Sequence, residues 1–262
     1  MLESKISDIE TLIEVYNNKE NEAKKYLPNT VLEAFQVVTF QATGWPSRIN
    51  NHQELWRYHD SMHSHTDRYR KYLHLLSDIN QDDINLMEKA AEIIYNFSKD
   101  NEFIYCSSGK NALTVALYQK KIIEKYFDVP KNKLIFEVGP GCGYLGLLLG
   151  LSGYSYIAME ACQAFYIYQS SLFKYAFGSD YNNGLEGNDY FKINHMTWWD
   201  FNSRNLKIEN IGLATCNHAV RELHPSAFNR LLTVLKNSCE IPQIISENLG
   251  ADICGYLAEL DR

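Results

Sequence analysis

KLIFEVGPGCGYLGLLLGLSGYSYIAME, residues 133–160, is the stretch of sequence that decides the fold. Its apolar run at 134–138 predicts a short strand that is buried on both faces. Gly139, Gly141 and Gly143 follow at alternate positions. Because glycine has no side chain, such a segment turns sharply and lets a ligand approach the backbone.

The second half of the stretch completes a strand–loop–helix–strand unit. Residues 144–151 predict a helix whose first free N–H groups face the ligand, and 155–159 predict a second buried strand. That strand ends at Glu160, 19 residues after Gly141. A carboxylate at this place accepts hydrogen bonds from ribose hydroxyls. The unit therefore predicts a site for a nucleoside cofactor.

Two motifs overlap in the glycine loop. Gly141-Cys-Gly143-Tyr-Leu-Gly146 fits G-x-G-x-x-G, so an NAD(P)-dependent oxidoreductase is one interpretation. Read from Glu137, an acid followed by three alternating glycines, the loop resembles the first motif of class I S-adenosylmethionine (SAM) methyltransferases. In that family the leading acid lies near the methionine end of SAM, whose ammonium suits a carboxylate. A dinucleotide would place its anionic pyrophosphate near Glu137, which repels it.

Composition excludes several classes of protein. The 262 residues carry 25 basic and 32 acidic side chains, a net charge of −7, which disfavours nucleic-acid binding. The six cysteines form no C-x-x-C pair, and the N-terminus has no apolar signal core, so a reducing, cytoplasmic location is expected. Residues 138–159 are uncharged, but their glycines and proline predict a buried unit rather than a membrane span.

The first part of the chain, residues 1–105, predicts a helical accessory region that covers the site, and residues 106–262 predict the cofactor domain. Apolar periodicity predicts helices at 4–26, 30–41, 52–76, 82–98 and 110–127. In the third of these, His59 and His63 have the i, i+4 spacing of a metal pair, with Asp60 and Asp67 nearby. The pattern H-E-x-x-H is absent, and no metal site is predicted.

Beyond Glu160 the alternation continues, as an α/β sheet requires. Residues 179–188 predict a turn-rich loop, and strands are predicted at 190–194, 211–216 and 241–246. The fold class is thus α/β with a helical N-terminal region, and the methyltransferase resemblance implies a Rossmann-like sheet with strand order 3-2-1-4-5. Ligands of such sheets lie at the carboxyl ends of the strands.

Candidate site residues follow from that geometry and from the methyltransferase resemblance. The predicted cofactor residues are Glu137, Gly139, Gly141, Gly143, Tyr144, Glu160, Ala161, Thr197, Trp198, Trp199, Asp200 and Asn217. Of the tryptophans, one is expected to stack on adenine and one to lie in the core. His218 follows the fourth strand and is the candidate general base, because an alcohol must lose its proton to attack a methyl group. Glu222 and Glu247 are further catalytic candidates.

The segments EVGPGCGYLG, YIAME, TWWDF, ATCNHAVREL and ISENLG together resemble the bacterial sugar O-methyltransferases of polysaccharide gene clusters. The resemblance covers about residues 103–250. It implies methyl transfer from SAM, with S-adenosylhomocysteine as product, to a hydroxyl of a sugar, nucleotide sugar or related small acceptor.

The chain departs from the family pattern at its end. A class I methyltransferase sheet has two further strands, but only 12 residues follow Gly250. The last two strands are therefore expected to be absent, leaving an edge strand that a second copy or a missing C-terminal segment would cover. This departure keeps a third hypothesis open, a non-catalytic SAM-binding or scaffold subunit.

Overall fold

The computed structural model describes residues 2–35, 39–40, 45–61, 76, 78–185, 192–203, 206, 208–217, 219, 223–238 and 244–245. Within these residues the main element is a six-stranded parallel sheet with helices on both faces. The α/β class predicted from the sequence is confirmed. Residues 246–262, on which the prediction of two absent strands depends, lie outside the described part.

The sheet strands are β3 (Leu134–Val138), β4 (Ser155–Glu160), β5 (Tyr181–Asn182), β6 (Ile193–Thr197), β7 (Ile211–Thr215) and β8 (Ile244–Ile245). Two more strands, β1 (Thr39–Phe40) and β2 (Trp45–Pro46), form a separate antiparallel pair. The sheet order is β5-β6-β4-β3-β7-β8, and every neighbouring pair is parallel. It differs from the predicted five-strand order by the additional edge strand β5.

The edge strand β5 lies in the segment that was predicted to be only a loop. Turn-forming residues dominate SDYNNGLEGN, but Tyr181 is buried and pairs with Ile193 at the start of β6. Packing of one aromatic side chain therefore outweighs the turn composition.

The strand β6 begins three residues later than the predicted strand 190–194. The predicted strand ended at Asn194, but β6 continues through His195 to Thr197, and both Asn194 and His195 are buried. His195 is stabilised inside because its Nδ1 lies 3.0 Å from the Ser170 hydroxyl and its ring stacks on Tyr166 at 4.0 Å. A buried polar side chain with partners is compatible with an interior strand.

The helices are α1 (Leu2–Lys24), α2 (Asn29–Phe35), α3 (Leu55–Ser61), α4 (Gln81–Asp100), α5 (Lys110–Tyr126), α6 (Tyr144–Leu151), α7 (Gln163–Phe177), α8 (Trp198–Phe201) and α9 (Pro225–Ser238). A capping box between Asn80 and Asp83 begins α4. The helix predicted at 30–41 was too long, because α2 ends at Phe35 and the chain then enters β1. None of the described helices is both long and apolar enough to cross a membrane.

Two hydrophobic cores lie on opposite faces of the sheet. Alternate strand residues supply them: Ile135 and Tyr156 face α6 and α7, whereas Phe136 and Ile157 face α2, α8 and α9. Residues of α1 and α3 belong to the first core together with those of α6 and α7. The described N-terminal helices therefore pack directly on the sheet unit, while the domain boundary at residue 105 stays a prediction.

Candidate functional site

The loop that follows β3 depends on glycine for both conformation and space. Gly139, Gly141 and Gly143 have φ of 69°, 61° and 75°, in the left-handed region that disfavours other residues. A Cβ on Gly139 would lie 2.6 Å from the Cβ of Ala219, and one on Gly143 would lie 2.9 Å from Cγ of Gln169. The three glycines bring the chain tightly from the sheet edge to the first residue of α6.

Side chains of the helical layer pack on this glycine loop. The Gln169 side-chain amide donates to the carbonyl oxygen of Gly141, and the Cys142 thiol lies 3.2 Å from the carbonyl oxygen of Tyr58 in α3. Within the described residues, the Oε1 atom of Gln169 is buried without a partner. Burial raises the pKa of the Cys142 thiol well above its usual value, which makes it unsuited to act as a thiolate nucleophile.

Glu137 is the penultimate residue of β3, two residues before Gly139 of the glycine loop, and it is 3% exposed. The Tyr156 hydroxyl donates to its Oε2 atom at 2.5 Å, and the side chain of Asn217 is its second hydrogen-bonding partner. Burial raises the pKa of Glu137 to about 7, and the two hydrogen bonds lower it only in part. Both partners are neutral, and none of the residues that the structure describes brings a positive charge to the carboxylate.

Glu160 ends β4 on the same edge of the sheet. Its Oε1 atom accepts a hydrogen bond from the backbone N–H of Cys162 at 2.9 Å, which orients the carboxylate. The Cys162 thiol lies 3.1 Å from the carbonyl oxygen of Ser47, so the segment before α3 packs on this end of the strand. Ala161, between the two, is half-buried.

The two tryptophans after β6 have different environments. Trp198 is 1% exposed, stacks on Phe35 at 5.9 Å and donates its indole N–H to Glu20 of α1 at 3.0 Å. Trp199 is half-buried and meets the Tyr16 ring edge-on at 4.9 Å. Trp198 is therefore the core residue of the pair, and Trp199 is the more exposed one.

Thr197 and Asp200 form a local cap for α8. The Thr197 hydroxyl donates to the Asp200 carboxylate at 2.6 Å and accepts from the Asp200 N–H at 3.2 Å. Burial raises the pKa of Asp200, while the Thr197 hydrogen bond and the charge of Lys19 lower it in part. Asp200 thus has a structural partner in addition to the adenine role predicted for it.

Tyr144 and His59 take part in a hydrogen-bond chain in the core. The Tyr144 hydroxyl lies 2.9 Å from that of Tyr168, which lies 2.8 Å from Nδ1 of His59. The other ring nitrogen of His59 accepts from the Ser107 N–H at 3.3 Å. The side chain of Tyr144 thus faces the core rather than a ligand. Among the described residues no cluster of histidine, cysteine or acidic side chains is arranged to hold a metal ion, and His63 is outside them.

The three catalytic candidates, His218, Glu222 and Glu247, lie outside the described residues. Asn217, directly before the first of them, is buried and contacts Glu137. The structure thus brings together the glycine loop, Glu137 and Asn217, and it places Glu160 at the end of the neighbouring strand.

Sequence reasoning missed the residues that hold these groups in place, above all Tyr156, Gln169, Tyr16 and Glu20. Tyr156 alone had a local signal, since a tyrosine inside an otherwise apolar strand needs a hydrogen-bond partner when it is buried. The others reach the site from distant parts of the chain.

No family model matches the chain, and no curated protein matches it.

Proposed function

We propose that this protein is a SAM-dependent O-methyltransferase that acts on a hydroxyl of a sugar or related small acceptor. The observation that carries the proposal is the Glu137 carboxylate, which is buried beside the glycine loop and, among the described residues, is bonded by the neutral donors Tyr156 and Asn217. A carboxylate in this setting gains most from a cation that arrives with the ligand.

The cofactor classes differ in the charge that they bring to this position. SAM has an ammonium group at its methionine end, which would pair with Glu137. A dinucleotide has a pyrophosphate there, which a carboxylate repels at short range. The environment of Glu137 therefore favours SAM over NAD(P).

The remaining residues fit a nucleoside ligand in the same orientation. The backbone of the glycine loop would contact the amino-acid part, Glu160 would accept from the ribose hydroxyls, and Trp199 with Asp200 would border the adenine. When bound, SAM supplies an electrophilic methyl group. The acceptor hydroxyl must lose its proton to attack, and His218 remains the candidate general base, with Glu222 and Glu247 as alternatives. The sugar as acceptor rests on the resemblance of the TWWDF and ATCNHAVREL segments.

Calorimetric titration of the purified protein with S-adenosylhomocysteine, and with NADH in parallel, tests the proposal. We expect the former to bind and the latter not to bind. Glu137→Gln should weaken binding of S-adenosylhomocysteine roughly 100-fold, because it removes one charge of a buried pair. Glu124→Gln is the matched control, since Glu124 also accepts from a tyrosine, Tyr154 at 3.2 Å, but on α5.

Other outcomes identify the alternatives. Binding of NADH alone would overturn the proposal in favour of an oxidoreductase. Binding of S-adenosylhomocysteine without methyl transfer from SAM to any of a panel of nucleotide sugars and free sugars would identify a cofactor-binding subunit.

A further inference from the structure

A buried hydrogen bond joins Tyr156 of β4 to Glu137 of β3 directly beneath the glycine loop. Tyr156 lies two residues before Ala158, the register partner of Glu137, so both side chains lie on the same face of the sheet. The Tyr156 hydroxyl donates to Oε2 of Glu137 at 2.5 Å, and Tyr156 is fully buried. Burial and the neighbouring carboxylate raise the pKa of Tyr156 well above its usual value, so its hydroxyl stays a donor.

The helix above provides the space that the tyrosine ring occupies. A Cβ added to Gly146 of α6 would lie 2.4 Å from Cε1 of Tyr156 and 2.9 Å from its hydroxyl oxygen. Glycine weakens a helix interior, so its presence at this position has a local cost. Because Gly146 has no side chain, the Tyr156 hydroxyl has room to reach Glu137 between the helix and the sheet.

The other described residues that face Glu137 from neighbouring elements are uncharged. From β7 it is faced by its register partner Thr215, and from the segment after β7 by Asn217. On α6, Gly146 packs against Tyr156, and the only titratable side chain of that helix, Tyr144, is bonded to Tyr168. No cation among the described residues contributes to the pKa of Glu137. The hydrogen bond from the Tyr156 hydroxyl is thus one of the main interactions that stabilise the ionised form of Glu137.

We propose that Tyr156 is a positioning residue for cofactor binding: its hydroxyl holds the Glu137 carboxylate ionised and in a fixed orientation toward the cationic end of the ligand. This inference rests on the proposed function, because it takes Glu137 to bind the ammonium group of SAM. Loss of the hydroxyl leaves the ring and its packing in place. Its effect should therefore appear in the pH dependence of binding and not as a uniform loss of affinity.

The test is calorimetric titration with S-adenosylhomocysteine between about pH 5.5 and 8.5 for the wild type, Tyr156→Phe and Tyr154→Phe. In the wild type, affinity should rise with pH through the pKa of Glu137, about 7. In Tyr156→Phe the midpoint should move up by about one pH unit, so that affinity falls about 5-fold near pH 7, about 10-fold near pH 5.5, and nearly recovers near pH 8.5. Tyr154→Phe removes a tyrosine–glutamate hydrogen bond away from the loop and should behave as the wild type.

An unchanged midpoint in Tyr156→Phe, even with weaker binding, would overturn the role of Tyr156. A wild type that binds no S-adenosylhomocysteine at any pH would overturn the proposed function instead, and the ligand role of Tyr156 with it. Carboxyl-carbon NMR of Glu137 in the ligand-free protein provides a second measurement, which detects the same upward shift when binding is too weak to titrate.

Discussion

Glu20 in α1 and Glu137 in β3 are both 3% exposed, but their pKa values are shifted in opposite directions. Burial is the largest single influence on Glu20 and raises its pKa. Hydrogen bonds and charges from Lys24, at 2.8 Å, and Arg48, together with a hydrogen bond from Trp198, outweigh burial and lower the pKa overall. The fold thus surrounds Glu20 with the cations that it needs.

Glu137 receives hydrogen bonds from Tyr156 and Asn217 but no positive charge from the described part of the chain, and its pKa is raised to about 7. The difference separates a carboxylate that cations of the fold balance from one for which the described residues supply no cation. Buried ionisable groups without a balancing charge are candidates for functional sites, although structural networks also shift pKa values. Here the two cases occur in one chain at equal solvent exposure.

The largest expected effect is a pH-dependent gain of stability in Glu137→Gln. Between about pH 4.5 and about 7 the folded chain keeps a proton on Glu137 that the unfolded chain has released. The stability that this proton contributes is complete below the unfolded pKa and is lost as pH rises through the folded pKa. Relative to the wild type, the variant should gain about 3 kcal/mol between pH 4.5 and 7.5.

Urea unfolding of both proteins at the two pH values measures this difference. The subtraction cancels His195, whose pKa burial lowers to about 3 and whose contribution therefore changes with pH in the opposite direction. A difference between Glu137→Gln and the wild type that does not change with pH would show that Glu137 has a compensating cation, and the comparison with Glu20 would fail.

The second prediction concerns the balanced carboxylate. Glu20→Gln should lower the free energy of unfolding by about 2 kcal/mol near pH 7, because Lys24 and Arg48 lose a buried partner but are exposed enough to reach water. Glu22→Gln, on the same helix, is the matched control: its ion pair with Lys25 is exposed, and its loss should cost little. Equal stabilities of the two variants would contradict the cation balance inferred for Glu20.

Much of the sheet could be predicted because its information is local. The strands at 134–138, 155–160 and 211–215 are contiguous apolar runs between turn residues, and buried parallel strands have this pattern. The errors occurred where side-chain partners came from elsewhere. Ser170 and Tyr166 of α7 stabilise His195 inside β6, and no pattern around residue 195 indicates that help.

The residues of the candidate site also include some that local sequence indicates and some that depend on distant parts of the chain. Glu137, the glycine loop and Glu160 were predictable because the motif lies within one strand–loop–helix–strand unit. The contact of Trp198 with Glu20 joins residues 178 positions apart, so which tryptophan lies in the core could not be read from the adjacent pair. The Tyr156–Glu137 hydrogen bond spans only 19 positions, but it depends on strand register, which forms only when the sheet does.

The smallest expected effect sharpens the comparison within α1 itself. Tyr16 lies one turn before Glu20, and its hydroxyl is buried without a partner among the described residues, while its ring packs 4.9 Å from both Tyr166 and Trp199. Tyr16→Phe keeps those ring contacts and removes an unsatisfied polar atom, so we expect the free energy of unfolding to rise by up to about 1 kcal/mol. Urea unfolding measures it.

Tyr168→Phe is the control for Tyr16→Phe, because the Tyr168 hydroxyl is bonded at 2.8 Å to His59 and at 2.9 Å to Tyr144. Its loss should destabilise the fold by about 1–2 kcal/mol. The same helix would then hold one polar group that the fold satisfies, Glu20, and one that it does not, Tyr16. A loss of stability in Tyr16→Phe as large as that in the control would instead mean that a water molecule satisfies the Tyr16 hydroxyl. The contact between α1 and Trp199 would then include a polar group.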